Sequence, residues 1–429
     1  MLLARVRVDS ETNLTSQPKL LPAMDRGSYL PLIEWIAAAG LSGRRELDLL
    51  QGFCERAFAA GLPLGRAVIG VDTLHPVLEG RVFEWRRAAD AATQAEYGRL
   101  DLQSSEEVWL RSPFHRLYES GETTLRRRLG NEPLEFPVLD ELRQQGMTDY
   151  VAMVHRFDAD AAIGTMDCTY SSWSTDSPGG FADADLAALE FLVPCLALAV
   201  KGASVARITE TLVETYLGHD AGHRVLRGDI ERGVAETISA VLWFSDLEGY
   251  TRITDTAPPA QIIPLLNDYA DAIASAIHAQ GGQVLKFMGD GILATFDAAV
   301  ASDACRCALD AAEDAHRRAT ALNDRRQAEG LPITRFYLGL HVGEVFYGNI
   351  GSLERLDFTV VGPAVNETSR IAAMCRSLDQ EVLLSSAFAG AAGEGRRRLV
   401  SVGRFALRGV QRPQELFTLD PEPRRSELP

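Results

Sequence analysis

Cysteine is scarce in this chain, with 6 in 429 residues and no dense spacing pattern. That excludes a disulfide framework and fits a reducing, cytoplasmic setting. The one close pair, Cys305 and Cys307, lies in an Ala-rich helical stretch where positions two apart do not share a face. Both are read as packing residues rather than as a zinc or redox pair. Basic residues are also few: 43 Lys and Arg against 59 Asp and Glu give a net charge of −16. Such a balance argues against a nucleic-acid-coating surface, and an anionic ligand would need a local exception such as a metal ion. Long apolar runs are missing too. The N-terminal MLLARVRVDSETN reaches its charges before it forms a signal-peptide core. The greasiest run, Leu186 to Val200, is interrupted by Glu190 and Pro194 and is shorter than the ~20 residues of a membrane span. It is read as a buried helix, and the protein as soluble.

With 46% hydrophobic and 24% charged residues, the chain has ordinary globular composition, and its length predicts two or three domains. Residues 1–29 are polar and Pro-punctuated and are read as a tail, as are 421–429. From Leu30 two helical segments close on glycines, and strand-like runs follow at RAVIGVD, GRVFEWRR, Tyr150–Phe157 and Ile163–Ser171. A long apolar helix capped by Asp183 closes this α+β domain of 30–203. Its layout, with GGF-x-x-x-DL leading into the final helix, resembles a GAF-type sensor domain built on an antiparallel sheet. The resemblance implies an effector, a small molecule or a protein, whose identity stays open. His75, His115 and His155 are read as structural rather than as haem or metal ligands. Residues 204–236 form a signalling helix and bent linker. His219 and His223 there are four apart, as a metal pair would be, but the glycines beside them argue against a helix and no third ligand is evident.

The chemistry gathers after Ile238. ISAVLWF is a buried strand by composition, and Asp246 stands where it gives way to a turn. An apolar stripe from Ile262 to Ile277 marks a core helix near 258–280. GGQVLKFMGDGILATF then reads as a hairpin with Asp290 at its tip. Two strand-end aspartates can bind hard cations with open positions for phosphate oxygens; singly, each could equally be a turn residue or a cap. A third element follows. After strand 335–342, strand 358–361 ends at Gly362, Pro363 takes the first helical turn, and Asn366 and Arg370 share a helical face. A planar cation beside an amide suits an anionic transition state and a sugar.

F-S-D-L-E-G-Y-T, K-F-M-G-D-G and D-F-T-V-V-G-x-x-V-N-x-x-S-R, in this order, resemble the catalytic domain of class III nucleotidyl cyclases over about 237–420. The resemblance implies a ferredoxin-like βαββαβ core, a head-to-tail homodimer with active sites at its interface, and two Mg²⁺ (or Mn²⁺) ions per site. It implies Asp246 and Asp290 as metal ligands, with Leu247 lending a backbone carbonyl. Lys286 and Thr359 would read the purine, Asn366 would orient the ribose, and Arg370 would stabilise the transition state. The amides of Gly249, Tyr250 and Thr251 would meet phosphate, and Arg408 falls where the family often carries a phosphate-binding lysine.

Lys286 with a hydroxyl partner suits adenine, so the expected reaction is ATP to cyclic AMP and pyrophosphate, regulated by the N-terminal domain. The alternatives are a guanylate cyclase or a non-catalytic nucleotide-binding regulator. Two positions depart from the family pattern. Thr359 stands where many relatives have Asp, which resembles a bicarbonate-stimulated subclass and makes bicarbonate a candidate effector. Pro363 stands where relatives often have Asp or Asn.

Overall fold

Strands whose side chains alternate between two apolar faces dominate both halves of the molecule, so each sheet is sandwiched between helices rather than left with a wet face. The computed structural model describes residues 26–98, 107–410 and 413–420, and the proposed tail at 421–429 lies outside them. The chain separates into two compact units, dividing between Leu212 and Val213.

In the first unit the elements run α1 (Arg26–Leu41), α2 (Glu46–Ala59), β1 (Arg66–Asp72), β2 (Leu78–Arg86), β3 (Thr93–Gly98), α3 (Pro113–Ser120), β4 (Thr124–Arg128), α4 (Pro137–Gln144), β5 (Asp149–Arg156), β6 (Cys168–Thr175) and α5 (Asp183–Leu217). The strands form one antiparallel sheet in the order β3-β2-β1-β6-β5-β4. Val151, Met153 and Trp173 point to the face covered by α1, α2 and α5, whereas Tyr150, Ala152, Val154 and Tyr170 point to the α3–α4 face. The first helix begins at Arg26, so the tail read as 1–29 ends earlier; residues 1–25 lie outside the described set. β6 lies later than the expected 163–171. Its CTYSSWST sequence looks like a loop, yet Tyr170 and Trp173 anchor it and its hydroxyl residues are buried.

The GGF motif has a structural cause. Asp149 is fully buried, and it accepts hydrogen bonds from the Arg126 guanidinium at 2.6 Å and the Phe181 amide at 3.0 Å. A methyl group at Gly180 would lie 2.6 Å from Asp149 Oδ2, and Gly180 has a φ of +71°, so only glycine lets the chain pass there. α5 outruns the apolar segment read from sequence and continues to Leu217, which places the expected domain end at 203 inside a helix. By length and composition it could cross a membrane. In the structure Ala188, Leu189, Leu192, Val193, Leu196 and Val200 of this helix lie in the first unit's core. His75 accepts the Val77 and Leu78 amides at 3.1 Å in a turn, as a structural histidine does.

The second unit contains α6 (His219–Leu226), β7 (Ala235–Leu247), α7 (Tyr250–Thr256), α8 (Pro259–Ala279), β8 (Gln283–Met288), β9 (Gly291–Asp297), α9 (Ala301–Ala328), β10 (Phe336–Gly351), β11 (Leu356–Val361), α10 (Pro363–Leu378), β12 (Val382–Ser385), α11 (Ser386–Ala391), β13 (Leu399–Phe405) and β14 (Gln414–Leu419). Its central strands stand in the order β10-β7-β9-β8, and each neighbouring pair is antiparallel. With α8 and α9 as the crossovers, this is the expected ferredoxin-like βαββαβ arrangement. β12 adds to β10 in parallel, and β11 folds back on the far end of β10.

Val241 and Trp243 of β7 meet α8 and α9, while Ala240 and Leu242 face α6, β11 and the start of α10. Alanines line the buried side of α9 and allow close helix packing; Cys305 is buried among them, and no disulfide joins the cysteines. α10 lies almost directly on the backbone of β10. A methyl group at Gly339 would come 2.6 Å from the Thr368 carbonyl oxygen and 2.7 Å from the Ala372 nitrogen.

Candidate active site

Asp246 is the penultimate residue of β7, opposite Tyr337 of β10 and beside the β8–β9 turn, where Ser245 pairs with Ile292 and Met288 with Gly291. Asp290 occupies that turn after Gly289, whose φ of +66° permits the tight reversal. A methyl group at Gly291 would sit 3.1 Å from the Ser245 carbonyl oxygen and 3.5 Å from Asp246 Oδ1, so glycine keeps the strand end open. The two carboxyl groups face each other within hydrogen-bonding reach. Withdrawal of water, and then the neighbouring Asp290, push the Asp246 pKa up to about 6, while the Leu247 amide pulls it back. Neither aspartate has an ion-pair partner among the described residues.

Two uncompensated carboxylates form an oxygen donor set suited to a hard divalent cation such as Mg²⁺ or Mn²⁺. Asp246 and Asp290 would hold it. Leu247 itself is buried opposite Phe336.

The following residues are pinned to the start of β10 and the two residues before it. Glu248 accepts from Tyr337 Oη at 2.7 Å and Arg335 Nε at 2.9 Å, and its carbonyl accepts from Thr334 Oγ1 at 2.6 Å. Gly249, with a φ of +65°, then turns the chain into α7, where Tyr250 and Thr251 are the first residues.

A second group forms on β8, β11 and α10. Lys286 is one of only three lysines in the chain, a signal that composition already carried. Its ammonium pairs with Asp357 rather than with the expected Thr359. Asp357 and Thr359 are two apart on β11 and therefore share a face, with Thr359 opposite Gly348. That period could have revealed Asp357 from the sequence. Phe358 between them turns inward and meets Tyr347 edge to face, with ring centroids 4.9 Å apart.

Pro363 starts α10 as expected, with Asn366 and Arg370 one turn apart on it. The Arg370 guanidinium lies against Gly409, where an added methyl would be 3.3 Å from Nη2, so the exposed Arg408 is in the adjoining turn. Beneath α10, His341 Nδ1 is 2.8 Å from Ser385 Oγ and 3.7 Å from Glu367 Oε1. Burial lowers the His341 pKa, and Glu367 opposes that shift. This buried support beside Asn366 carries no sequence motif. No hydrogen bond or ion pair joins Asp246 or Asp290 to Lys286, Thr359, Asn366 or Arg370 within one copy of the chain.

Residues 234–420 match the family model described as the adenylate and guanylate cyclase catalytic domain. This part of the chain carries the sequence pattern of a cyclase catalytic domain. Adenylate cyclase 1 of Rhizobium meliloti (strain 1021) is 34% identical over 149 residues, covering 34% of this chain and 22% of that protein. The adenylate cyclase of Anabaena cylindrica is 35% identical over 161 residues, covering 37% of this chain and 31% of its own length. The chain thus spans less than a third of these curated relatives. Among solved structures, the guanylyl cyclase Cya2 is 28% identical and covers 45% of this chain and 98% of its own, with a TM-score of 0.40. The cyclase match begins at residue 234, beyond the N-terminal unit.

Proposed function

We propose that the protein is an adenylate cyclase that converts ATP to 3′,5′-cyclic AMP and pyrophosphate at sites shared between two copies of the chain. The observation that carries this reading is the facing, unpaired Asp246–Asp290 carboxylates at the strand ends of a cyclase domain. Divalent ions held there would lower the pKa of the ribose 3′-hydroxyl and neutralise the leaving pyrophosphate.

The chain's own residues do the rest. Lys286 donates to the ring-nitrogen acceptor of adenine, and the Asp357 carboxylate or the Thr359 hydroxyl accepts from the exocyclic amine. Asn366 orients the ribose, and Arg370 meets the charge that grows on the transferring phosphoryl group. A preorganised donor of that kind contributes about 3–4 kcal/mol. Exposed Phe287, Met288, Phe346 and Val361 on the strands that carry these groups offer apolar surface for a second copy.

A Lys–Asp pair can also read guanine, with Lys286 donating to the O6 acceptor and Asp357 accepting from the ring N–H, so the second reading is a guanylate cyclase. The N-terminal unit is proposed to regulate turnover through α5 and α6, with bicarbonate a candidate effector through Thr359. The test is turnover of ATP and of GTP by the purified full chain with Mg²⁺ or Mn²⁺, with products identified by mass spectrometry. Cyclic AMP should form faster, and Asp290→Ala should abolish turnover while the oligomer persists. Faster cyclic GMP would favour the second reading, and unchanged turnover in Asp290→Ala would refute the metal assignment.

A further inference from the structure

The residues joining α5 to the cyclase domain depart most from what the sequence suggested. α5 stops at Leu217, Gly218 reverses the chain at a φ of +85°, and His219–Leu226 forms a helix despite Gly222. Gly222 explains why. A methyl group there would lie 3.0 Å from Glu214 Cα and 3.2 Å from its Cγ and N, so only glycine lets α6 rest directly on the last turn of α5.

That close approach supplies the missing third ligand. His219 and His223 present one helical face, and the carboxylate of Glu214 stands between them. Its oxygens are 3.5 Å from His219 Nδ1 and 3.1 Å from His223 Nε2, and the two imidazole rings are 4.4 Å apart between centroids. One ligand atom from each of the three residues lies within 4.8 Å of the others. Bonds of about 2.1 Å to a tetrahedral ion place neighbouring ligand atoms about 3.4 Å apart, so the cluster needs only small rotamer adjustments. Among the described residues, the Glu214 side chain has no other polar partner. The His219 side chain is 67% exposed, which leaves a coordination position open to water.

We infer that Glu214, His219 and His223 form a binding site for one borderline divalent transition-metal ion of the zinc class, which clamps the end of α5 to α6. Two imidazoles and one carboxylate suit Zn²⁺ over Mg²⁺, which prefers an all-oxygen shell. The site is chemically distinct from the Asp246–Asp290 pair. The clamp would act on a helix already docked to the cyclase sheet. Asp220 of α6 accepts from Tyr347 Oη at 2.8 Å, Arg224 bridges Asp220 and Glu236 at 3.0 and 2.5 Å, and Ala221 is buried. Tyr347 in turn supports Phe358, the residue between Asp357 and Thr359.

The test is Zn²⁺ titration by calorimetry, and Co²⁺ titration by visible spectroscopy, on the tag-free full chain carrying Asp246→Asn and Asp290→Asn to silence the other site. One equivalent of Zn²⁺ should bind, and Co²⁺ should show the ligand-field absorption of a four-coordinate ion. His223→Ala and Glu214→Gln should each weaken binding by about 100-fold or more, since even outer-shell partners of such ions contribute 10–100-fold. Arg227→Ala, just past the end of α6, should leave it unchanged, and circular dichroism shows whether each variant is folded. No Zn²⁺ bound by the parent, or equal affinity in folded Glu214→Gln and His223→Ala, would show a carboxylate–histidine ion pair only and overturn the inference.

Discussion

Gly339→Ala tests whether the direct seating of α10 on β10 is what holds Asn366 and Arg370 in place. Gly339 does not have a positive φ, so the substitution acts through space alone. The new methyl would stand 2.6 Å from the Thr368 carbonyl oxygen, 2.7 Å from the Ala372 nitrogen and 3.0 Å from Ala372 Cβ. Ordinary carbon–oxygen contacts begin at about 3.3 Å, so the helix must retreat by about 0.7 Å. Overpacking of this kind costs about 1–3 kcal/mol of stability. A misplacement approaching 1 Å costs about 100-fold in turnover. The assay is kcat and KM for the preferred nucleotide beside thermal melting, and kcat should fall by about 30- to 100-fold in a protein that still melts cooperatively. Adding Ala372→Gly removes only the side-chain contact and leaves the two backbone contacts, so it should not restore kcat. A folded Gly339→Ala variant with wild-type kcat would refute the reasoning.

Three further outcomes follow from the same geometry. Asp357→Asn removes the carboxylate that holds Lys286; the pair is 40% and 52% exposed, so melting should shift little, but the preference between ATP and GTP should change about tenfold, as competition kinetics would show. Asp246 has its pKa raised from 3.8 to about 6, so between those values the folded chain keeps a proton that the unfolded chain has released. Stability of the chelated protein should therefore fall as pH rises through that window, and Asp246→Asn should raise its melting temperature at pH 7 but not near pH 4. Protons would also compete with a metal ion at the proposed site, so metal affinity measured by calorimetry should drop about tenfold per pH unit below 6.

Much of the second unit was legible because its candidate site residues stand where strands end. The ISAVLWF strand announces burial on both faces, and Asp246 and Asp290 mark the turns that follow, so local pattern and site coincide. What stayed hidden depends on distant or bent backbone. Glu214 meets His219 and His223 only because Gly218 reverses the chain and Gly222 admits close contact. The partnership of Lys286 with Asp357 joins two strands far apart in sequence. In the first unit, the edge strand TLRRR was missed because its arginines look like solvent residues, although Arg126 reaches the buried Asp149. The serine-rich β6 was displaced for a similar reason, since its anchoring aromatic residues are few.

Activity recovered by mixing two inactive chains tests the shared sites most directly. Asp290→Ala removes a proposed metal ligand and Arg370→Ala the proposed transition-state donor, and each alone should be inactive. Random pairing of equal amounts gives about half mixed dimers, each with one intact site of two, so activity should return to about a quarter of wild type. Recovery near that level, rising with the fraction of mixed dimers, is the result predicted for sites built from two copies. Two inactive parents that stay inactive after verified exchange of subunits would contradict it.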